Sequence, residues 1–242
     1  MKPFELAYLC AKPFLPPLHR KVRRRLLKLA KSSARCPDIL DVGGRKSHYT
    51  IGVPGNITIT DLPRETEIQK ILNLGVNGQI IGKTFERRSN VAAIVFDDMT
   101  RSSLVDNAFD FAISIEVLEH VEEDELFIKE VHRVLKPGGT FIMTTPNGDF
   151  VKNTNPDHKR HYTREQLRSL LSAYFRNVEV EYAIQGGRFR TMRLRGWSVR
   201  RPLRTASSVI GNFVNTIQSA PESIKSRPKG TRHLIAVAGK QH

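Results

Sequence analysis

Asp98-Met99, then nine residues, then Phe109-Asp110-Phe111-Ala112-Ile113-Ser114-Ile115-Glu116-Val117-Leu118-Glu119-His120-Val121 is the stretch on which the reading of this chain turns. Phe109 to Ile115 is a short apolar run, as a buried strand requires, and it ends on the polar residues Glu116 to His120. From Glu123 to Leu135 the period changes. Leu126, Phe127, Val131 and Val134 recur at helical spacing, and Lys136-Pro137-Gly138-Gly139 ends the helix with a basic last turn, a breaker and turn glycines. Thr140 to Thr145 is again β-rich and stops before Pro146. A strand, a helix and a second strand in this order predict a βαβ unit and a parallel sheet.

Working outward, Asp38–Val42, Ile57–Thr60 and Val91–Phe96 read as earlier strands, and Val178–Ala183 and His233–Ala238 as later ones. Thr163, with Gln166 three residues on, predicts a capped helix running to about Tyr174. Residues 19–34 place Val22, Leu26, Leu29 and Ala30 on one face and Arg or Lys on the other. Leu203, Ala206, Val209, Ile210, Phe213, Val214 and Ile217 form a second apolar stripe beside an Arg-rich segment. The expected fold is α/β: a Rossmann-like, doubly wound, mostly parallel seven-stranded sheet. It carries an N-terminal basic helix and a helical insertion before the last strand. The expected division is a basic amphipathic extension, 1–36, and a main domain, 37–242, with the insertion at 187–232.

In an open parallel sheet, ligands bind outside the carboxyl ends of the strands, so the residues just after each strand carry the information. Asp41-Val42-Gly43-Gly44 is a strand entering a glycine turn, where missing side chains let the backbone approach a ligand. Asp61, twenty residues after Asp41, can accept both hydroxyls of a ribose or cap a helix. Asp97-Asp98-Met99 ends the third strand. With Phe109–Val121, Val134–Ile142 and Asp157-His158-Lys159-Arg160-His161-Tyr162-Thr163, this set resembles the class I S-adenosylmethionine-dependent methyltransferases. The similar branch is the type 11 one, which includes the ubiquinone-biosynthesis enzymes. The resemblance covers roughly Asp38 to Phe175.

That resemblance implies a cofactor, S-adenosylmethionine, with S-adenosylhomocysteine as product. Asp41, Gly43 and Gly44 would hold its amino-acid end, and Asp61 its ribose. Asp98 would accept the adenine amino group with Met99 covering the ring, and Ser114, Ile115 and Glu116 would lie near the transferable methyl. Arg45 and Ser47 stand where the family has glycine. An Arg fork there either clamps the cofactor carboxylate or obstructs the pocket. His120, His158 and His161 are candidate general bases, since imidazole takes a proton near neutral pH; for His120 a structural hydrogen bond is the competing reading. No metal is required, because a sulfonium is already an activated methyl donor. Glu116-x-x-Glu119-His120 has a spacing that would nonetheless suit a divalent cation.

Charge bears on partners. Residues 1–36 hold 10 Lys/Arg and 1 acid, residues 37–186 hold 17 and 22, and residues 187–242 hold 12 and 1. An acidic middle with basic ends argues against nucleic acid gripped by the central fold. It points instead to an anionic membrane surface met by residues 12–35 and 188–217, with apolar faces entering the interface, or to a helix and lid that merely cover the sheet. The two cysteines form no disulfide framework or metal spacing. The expected location is therefore cytoplasmic, peripheral on the inner membrane face. The expected reaction is O-methylation of a small-molecule or lipid-linked acceptor. An RNA methyltransferase or RNA-binding protein, and a non-catalytic methyltransferase-like scaffold, are the alternatives.

Overall fold

The computed structural model describes residues 1–11, 14–44, 47–63, 75–193 and 200–241. Seven strands form one sheet: β1 (Asp38–Val42), β2 (Asn56–Asp61), β3 (Val91–Phe96), β4 (Phe109–Ile115), β5 (Leu135–Pro146), β6 (Arg176–Gln185) and β7 (Thr231–Gly239). Their spatial order is β3-β2-β1-β4-β5-β7-β6. β1 to β5 run parallel, and β7 lies antiparallel between β5 and β6. The Rossmann-like class expected from the sequence is therefore the fold. β1 and β4 are neighbours from which the order runs outward in both directions, so their carboxyl ends flank the switch point where such sheets bind ligands.

Alternation along the strands divides the core between two faces. Leu40 and Val42 of β1 face one side, with Ala112, Phe141 and Met143. There they meet Phe127, Ile128, Val131 and Val134 of α4 (Asp124–Val134) and Leu167 and Leu171 of α5 (Arg164–Ser172). Thr163 caps α5 in a reciprocal box with Gln166, as the sequence predicts. Ile39 faces the other side with Ile57, Ile59 and Ile113, covered by Val22, Leu26 and Ala30 of α2 (Pro17–Ser32). The described residues of the first half of the chain also form the helices α1 (Pro3–Ala11) and α3 (Gly78–Arg87).

α2 corrects one expectation. Its apolar face belongs to the core and cannot enter a lipid interface, and even Arg23 is buried, donating to the carbonyls of Tyr49 and Ile51. Only its basic outer face, with Arg24, Lys28 and Lys31, meets solvent. Leu26→Ala should thus cost about 2–5 kcal/mol of folding stability, read as a lower urea midpoint. A loss below about 0.5 kcal/mol, the range of surface changes, would mean that the helix is not core.

The insertion helix α7 (Pro202–Gln218), which follows the short α6 (Arg188–Arg193), does the opposite. Its inner face is small and polar, with Ser208, Gly211, Asn212 and Asn215 buried, while Leu203, Ile210, Phe213 and Ile217 are exposed. The reason is a strand that needs polar partners. The Asn215 amide donates to the Gln185 carbonyl at 2.7 Å, and Ser219 Oγ, just past the helix, accepts from the Gln185 N–H at 2.9 Å. The turn glycines also fall differently from expectation. β5 already begins at Leu135, and a register shift between Phe109 and Phe111 absorbs Lys136–Gly139 inside the strand.

Candidate active site

At the end of β1 the chain turns through Gly43, whose φ of +67° and N–H bond to the Thr60 carbonyl (2.7 Å) set the corner. A Cβ on Gly43 would lie 2.6 Å from Val117 Cγ2, and one on Gly44 would lie 2.4 Å from Asp41 Cγ. Both glycines are thus demanded by the protein's own packing. Asp41 is wholly buried and accepts from the Tyr49 hydroxyl at 2.9 Å and the Thr50 hydroxyl at 3.1 Å. Arg88 stands behind, donating to Thr50 Oγ1 at 2.8 Å. Burial raises the Asp41 carboxyl above its usual range despite these partners and the nearby Arg88 charge. Arg45 lies outside the described residues, and Ser47 is buried.

The ends of β2 and β3 present a more open pair of acids. Asp61 receives the Leu62 N–H on Oδ1 at 2.9 Å, and its carbonyl receives the Asp97 N–H. Asp98 takes the N–H and hydroxyl of Thr100 at 3.0 and 2.8 Å, and Arg101 Nε at 3.3 Å. Burial pushes its carboxyl up, but these donors outweigh it and hold Asp98 below the ordinary range. Met99 is buried beside it, whereas Leu62 and Phe96 expose about half their surface next to Asp61. The sequence reading missed both. They stand out only once strand register sets Phe96 opposite Asp61.

Past β4, Glu116 adopts φ +56°, a left-handed conformation uncommon for a non-glycine residue. Its carboxylate is held from both neighbouring directions, by the Thr144 hydroxyl at 2.8 Å and by His233 Nδ1 at 3.1 Å. Burial would raise its pKa, but the His233 charge and hydrogen bond and the Thr144 bond hold it below the usual range. Ser114, two residues earlier, is fully buried with its hydroxyl unpartnered.

The three predicted histidines come together, His158 and His161 from the segment after β5 and His120 from the turn after β4. His161 Nδ1 lies 2.9 Å from the Val151 carbonyl, His161 Nε2 lies 2.8 Å from His158 Nδ1, and His120 Nδ1 lies 3.1 Å from the Asp157 carbonyl. A carbonyl only accepts, so His161 donates from Nδ1, and as a singly protonated ring it accepts on Nε2. His158 then donates from Nδ1 and keeps a lone pair on Nε2. Burial, helped by the neighbouring His120 and His161, lowers the His158 pKa and keeps that ring neutral. Glu119, His120 and His158 each offer a ligand atom within 4.8 Å of the others. A cation site would therefore use His158 where the sequence spacing suggested Glu116.

Glu119 is 1% exposed, and its carboxylate accepts a long, 3.3 Å bond from the Thr145 hydroxyl. Burial, then the charge of Glu116, drives its carboxyl well above the usual range. Between the unfolded value of about 4.3 and that raised value, the folded chain holds a proton that the unfolded chain has lost. Stability therefore falls as pH rises through this window. Glu119→Gln removes the penalty, so its gain in thermal midpoint over wild type should be larger at pH 8 than at pH 5. An equal difference at both pH values would mean that Glu119 folds ionised.

Residues 71–143 match a family described as a methyltransferase domain. The sterol 4-C-methyltransferase of Caenorhabditis elegans is 31% identical over 129 residues, 52% of this chain and 31% of that protein. A probable S-adenosylmethionine-dependent methyltransferase of Mycolicibacterium smegmatis is 35% identical over 81 residues, 31% of this chain and 32% of its own length. Both relatives, like the matched domain, are methyltransferases, and the likeness centres on the part of this chain that holds β3, β4 and the start of β5. A solved methyltransferase from Archaeoglobus fulgidus shares the fold, with TM-score 0.57 at 17% identity over 92% of this chain and 94% of that one. The chain spans about a third of the length of these two curated methyltransferases. His233 and Thr144, which hold the Glu116 carboxylate past the end of β4, are the residues there that sequence reasoning missed.

Proposed function

We propose that this methyltransferase moves the methyl of S-adenosylmethionine to an oxygen of a small-molecule or lipid-linked acceptor. The observation that carries the reading is the row of acids at successive strand ends, Asp61, Asp98 and Glu116, set beside a hydrogen-bonded histidine pair, His158 and His161. The adenosine side of the cofactor fits these residues: two outward carboxylates for ribose and adenine, with Leu62, Phe96 and Met99 as apolar cover. On the methionine side, the buried Ser114 hydroxyl is an orphan polar atom suited to a polar ligand group, with Ile115 and Glu116 beside it. Asp41 fits less simply, since its carboxylate is already engaged by Tyr49 and Thr50. Gly43 and Gly44 shape the turn there, and Arg45 is the remaining candidate for the cofactor's carboxylate.

When bound, the cofactor supplies an electrophilic methyl, so the chain's task is alignment and removal of a proton. His158 takes the acceptor's proton on Nε2, and its Nδ1–H bond to His161 spreads the resulting charge over two rings. His120 holds the loop through Asp157 and borders the same space, its ring centroid 4.6 Å from that of His158. No metal is needed for this chemistry. Titration calorimetry with S-adenosylmethionine and S-adenosylhomocysteine tests the reading. Binding by either supports it, and absence of both defeats it, leaving the scaffold alternative.

In this reading residues 37–242 are the catalytic domain, the insertion 187–232 covers the acceptor side, and the basic segment 1–36 is docked on the sheet. The enzyme works in the cytoplasm at an anionic membrane surface. Support comes from α7, whose exposed Leu203, Ile210, Phe213 and Ile217 stand beside Arg200, Arg201 and Arg204. No helix among the described residues is long and apolar enough to cross a membrane. The outer face of α2 adds only charge. Flotation with anionic vesicles at low salt should carry the protein upward, and failure to float removes the membrane from the proposal. Nucleic acid is the less favoured partner, for want of any base-stacking aromatic row.

A further inference from the structure

Beyond β6 the chain makes a bend that its own sequence should resist. Ile184 is fully buried yet has φ +62°, an outlier for a β-branched residue. It is followed by Gly186 and by Gly187 at φ +103°. The bend is held by the polar inner face of α7, through Asn215 and Ser219 on the backbone of Gln185. Such conformations persist where the surrounding structure fixes them, commonly at ligand sites. Here the bend forms the wall of a cavity of about 480 Å3, lined by Phe150, Gln185, Gly186, Gly187, Arg190, Thr191, Gly230 and Arg232. A neighbouring cavity of about 440 Å3 shares Gln185 to Gly187 and adds Arg188 and Arg227.

Four arginines line this paired space, and no acidic residue does. Arg190 and Arg232 are partly buried, and the Nε atom of each is enclosed without a hydrogen-bond partner. Among the described residues neither forms an ion pair within 4.0 Å. Two adjacent guanidinium groups, half removed from water and unpaired, repel each other and lose hydration; an anion between them would relieve both costs. The strain appears in Arg190, whose pKa is lowered by burial and by Arg232, while Glu116 opposes the shift. That last influence ties the cavity to the methyl-transfer end of β4. Nothing lies within 4 Å of a Cβ placed on Gly187, so the floor is open to an incoming group. Phe150, 45% exposed, offers an apolar surface at the same mouth.

We propose that Arg190 and Arg232 bind the phosphate group of a phosphate-ester acceptor, with the apolar part of that acceptor against Phe150. A guanidinium fork matches a phosphate edge with two parallel hydrogen bonds, and two forks neutralise its double charge. The acceptor oxygen then points toward Glu116 and His158, and the phosphate acts as the handle that sets this distance. This inference rests on the methyltransferase reading for the fate of the acceptor, but the anion site stands on the arginines alone. The phosphate can belong to a soluble ester or to a lipid headgroup, and the two sources share the same recognition.

Calorimetry at constant ionic strength, with phenyl phosphate as the soluble probe and phenol as its uncharged control, tests the site. Flotation with phosphatidylcholine vesicles with and without phosphatidic acid tests the lipid source. Wild type should bind phenyl phosphate but not phenol, and Arg190→Gln or Arg232→Gln should weaken that binding at least tenfold. Affinity of both variants for S-adenosylhomocysteine should stay within twofold, and without phosphate their thermal midpoints should be no lower than that of wild type, since each substitution removes one of the two repelling charges. Arg232→Lys, which keeps charge without the fork, should fall between. If only vesicles with phosphatidic acid bind, and both Gln variants lose them, the phosphate is read on a lipid. The inference is overturned if wild type binds S-adenosylhomocysteine but neither phosphate probe, or if the Gln variants bind phosphate unchanged. Phosphate binding without any cofactor binding would instead remove the methyltransferase reading and keep the anion site.

Discussion

Asp61→Ala is expected to weaken binding of S-adenosylhomocysteine about a hundredfold, since two hydroxyl bonds to a carboxylate at roughly 1.5–3 kcal/mol each are lost and each 1.4 kcal/mol is tenfold. The residue ends β2 at the edge of the cleft, with Leu62 and Phe96 exposed around it. Its backbone carbonyl, which joins β2 to Asp97, is untouched by the substitution, so the link between those two strand ends persists in the variant. Asp61→Asn keeps one acceptor oxygen and loses the charge, and about a tenfold loss is expected on the same scale. Calorimetric affinities of the two variants against wild type are the measurement. Affinity within twofold in the Ala variant would mean that Asp61 serves the protein's own bonds, the Leu62 N–H to Oδ1 among them, and not the ribose. Because product and cofactor share the adenosyl group, the result is independent of the identity of the acceptor.

The parts of this site that were legible in the sequence are those built from local pattern. Phe109 to Ile115 is apolar because it is a central strand covered on both faces, and a strand end that must bind a ligand carries its polar residues immediately after it. His158 and His161 lie three residues apart, so a single loop brings them together. Long-range residues were not legible. His233 reaches Glu116 because β7 runs antiparallel beside β5, which sets its first residues against Pro146, and no local pattern announces that pairing. Arg190 and Arg232 meet across the insertion, more than forty residues apart, for the same reason.

Amphipathic pattern also proved to be an incomplete guide to which face is buried. α2 and α7 both carry an apolar stripe beside basic residues. α2 buries its stripe because β1 and β2 present Ile39, Ile57 and Ile59 to it. α7 buries its polar side because the bend at Gln185 leaves a backbone N–H and carbonyl that need partners away from the ladder. An apolar stripe says that a helix has two unlike faces, not which of them the sheet will cover. Backbone groups left unsatisfied on the neighbouring strand make that choice.

Gly44→Ala should destabilise the fold by about 3 kcal/mol, combining overpacking of roughly 1–3 kcal/mol with a buried hydrogen bond lost at about 1–3 kcal/mol. The added Cβ would lie 2.4 Å from Asp41 Cγ and 2.6 and 2.8 Å from its oxygens. Asp41 cannot retreat without leaving Tyr49 or Thr50, and Thr50 is itself braced by Arg88. At roughly 2–4 °C per kcal/mol for a domain of this size, the thermal midpoint should fall by about 6–12 °C. Gly82→Ala, the same chemical change inside α3 with nothing within 4 Å of the new Cβ, should raise stability by about 0.4–1 kcal/mol. The opposite signs separate the demand for glycine at the turn from a general effect of adding a methyl. If Gly44→Ala is instead tolerated, the Asp41 carboxylate can swing away from Tyr49 and Thr50. It would then be able to reach the amino-acid end of the cofactor, the role that the family resemblance assigns to it. If the variant is unstable as expected, Asp41 is an anchor of the turn, and the methionine end must rely on other groups, with Ser114 and Arg45 the first to test.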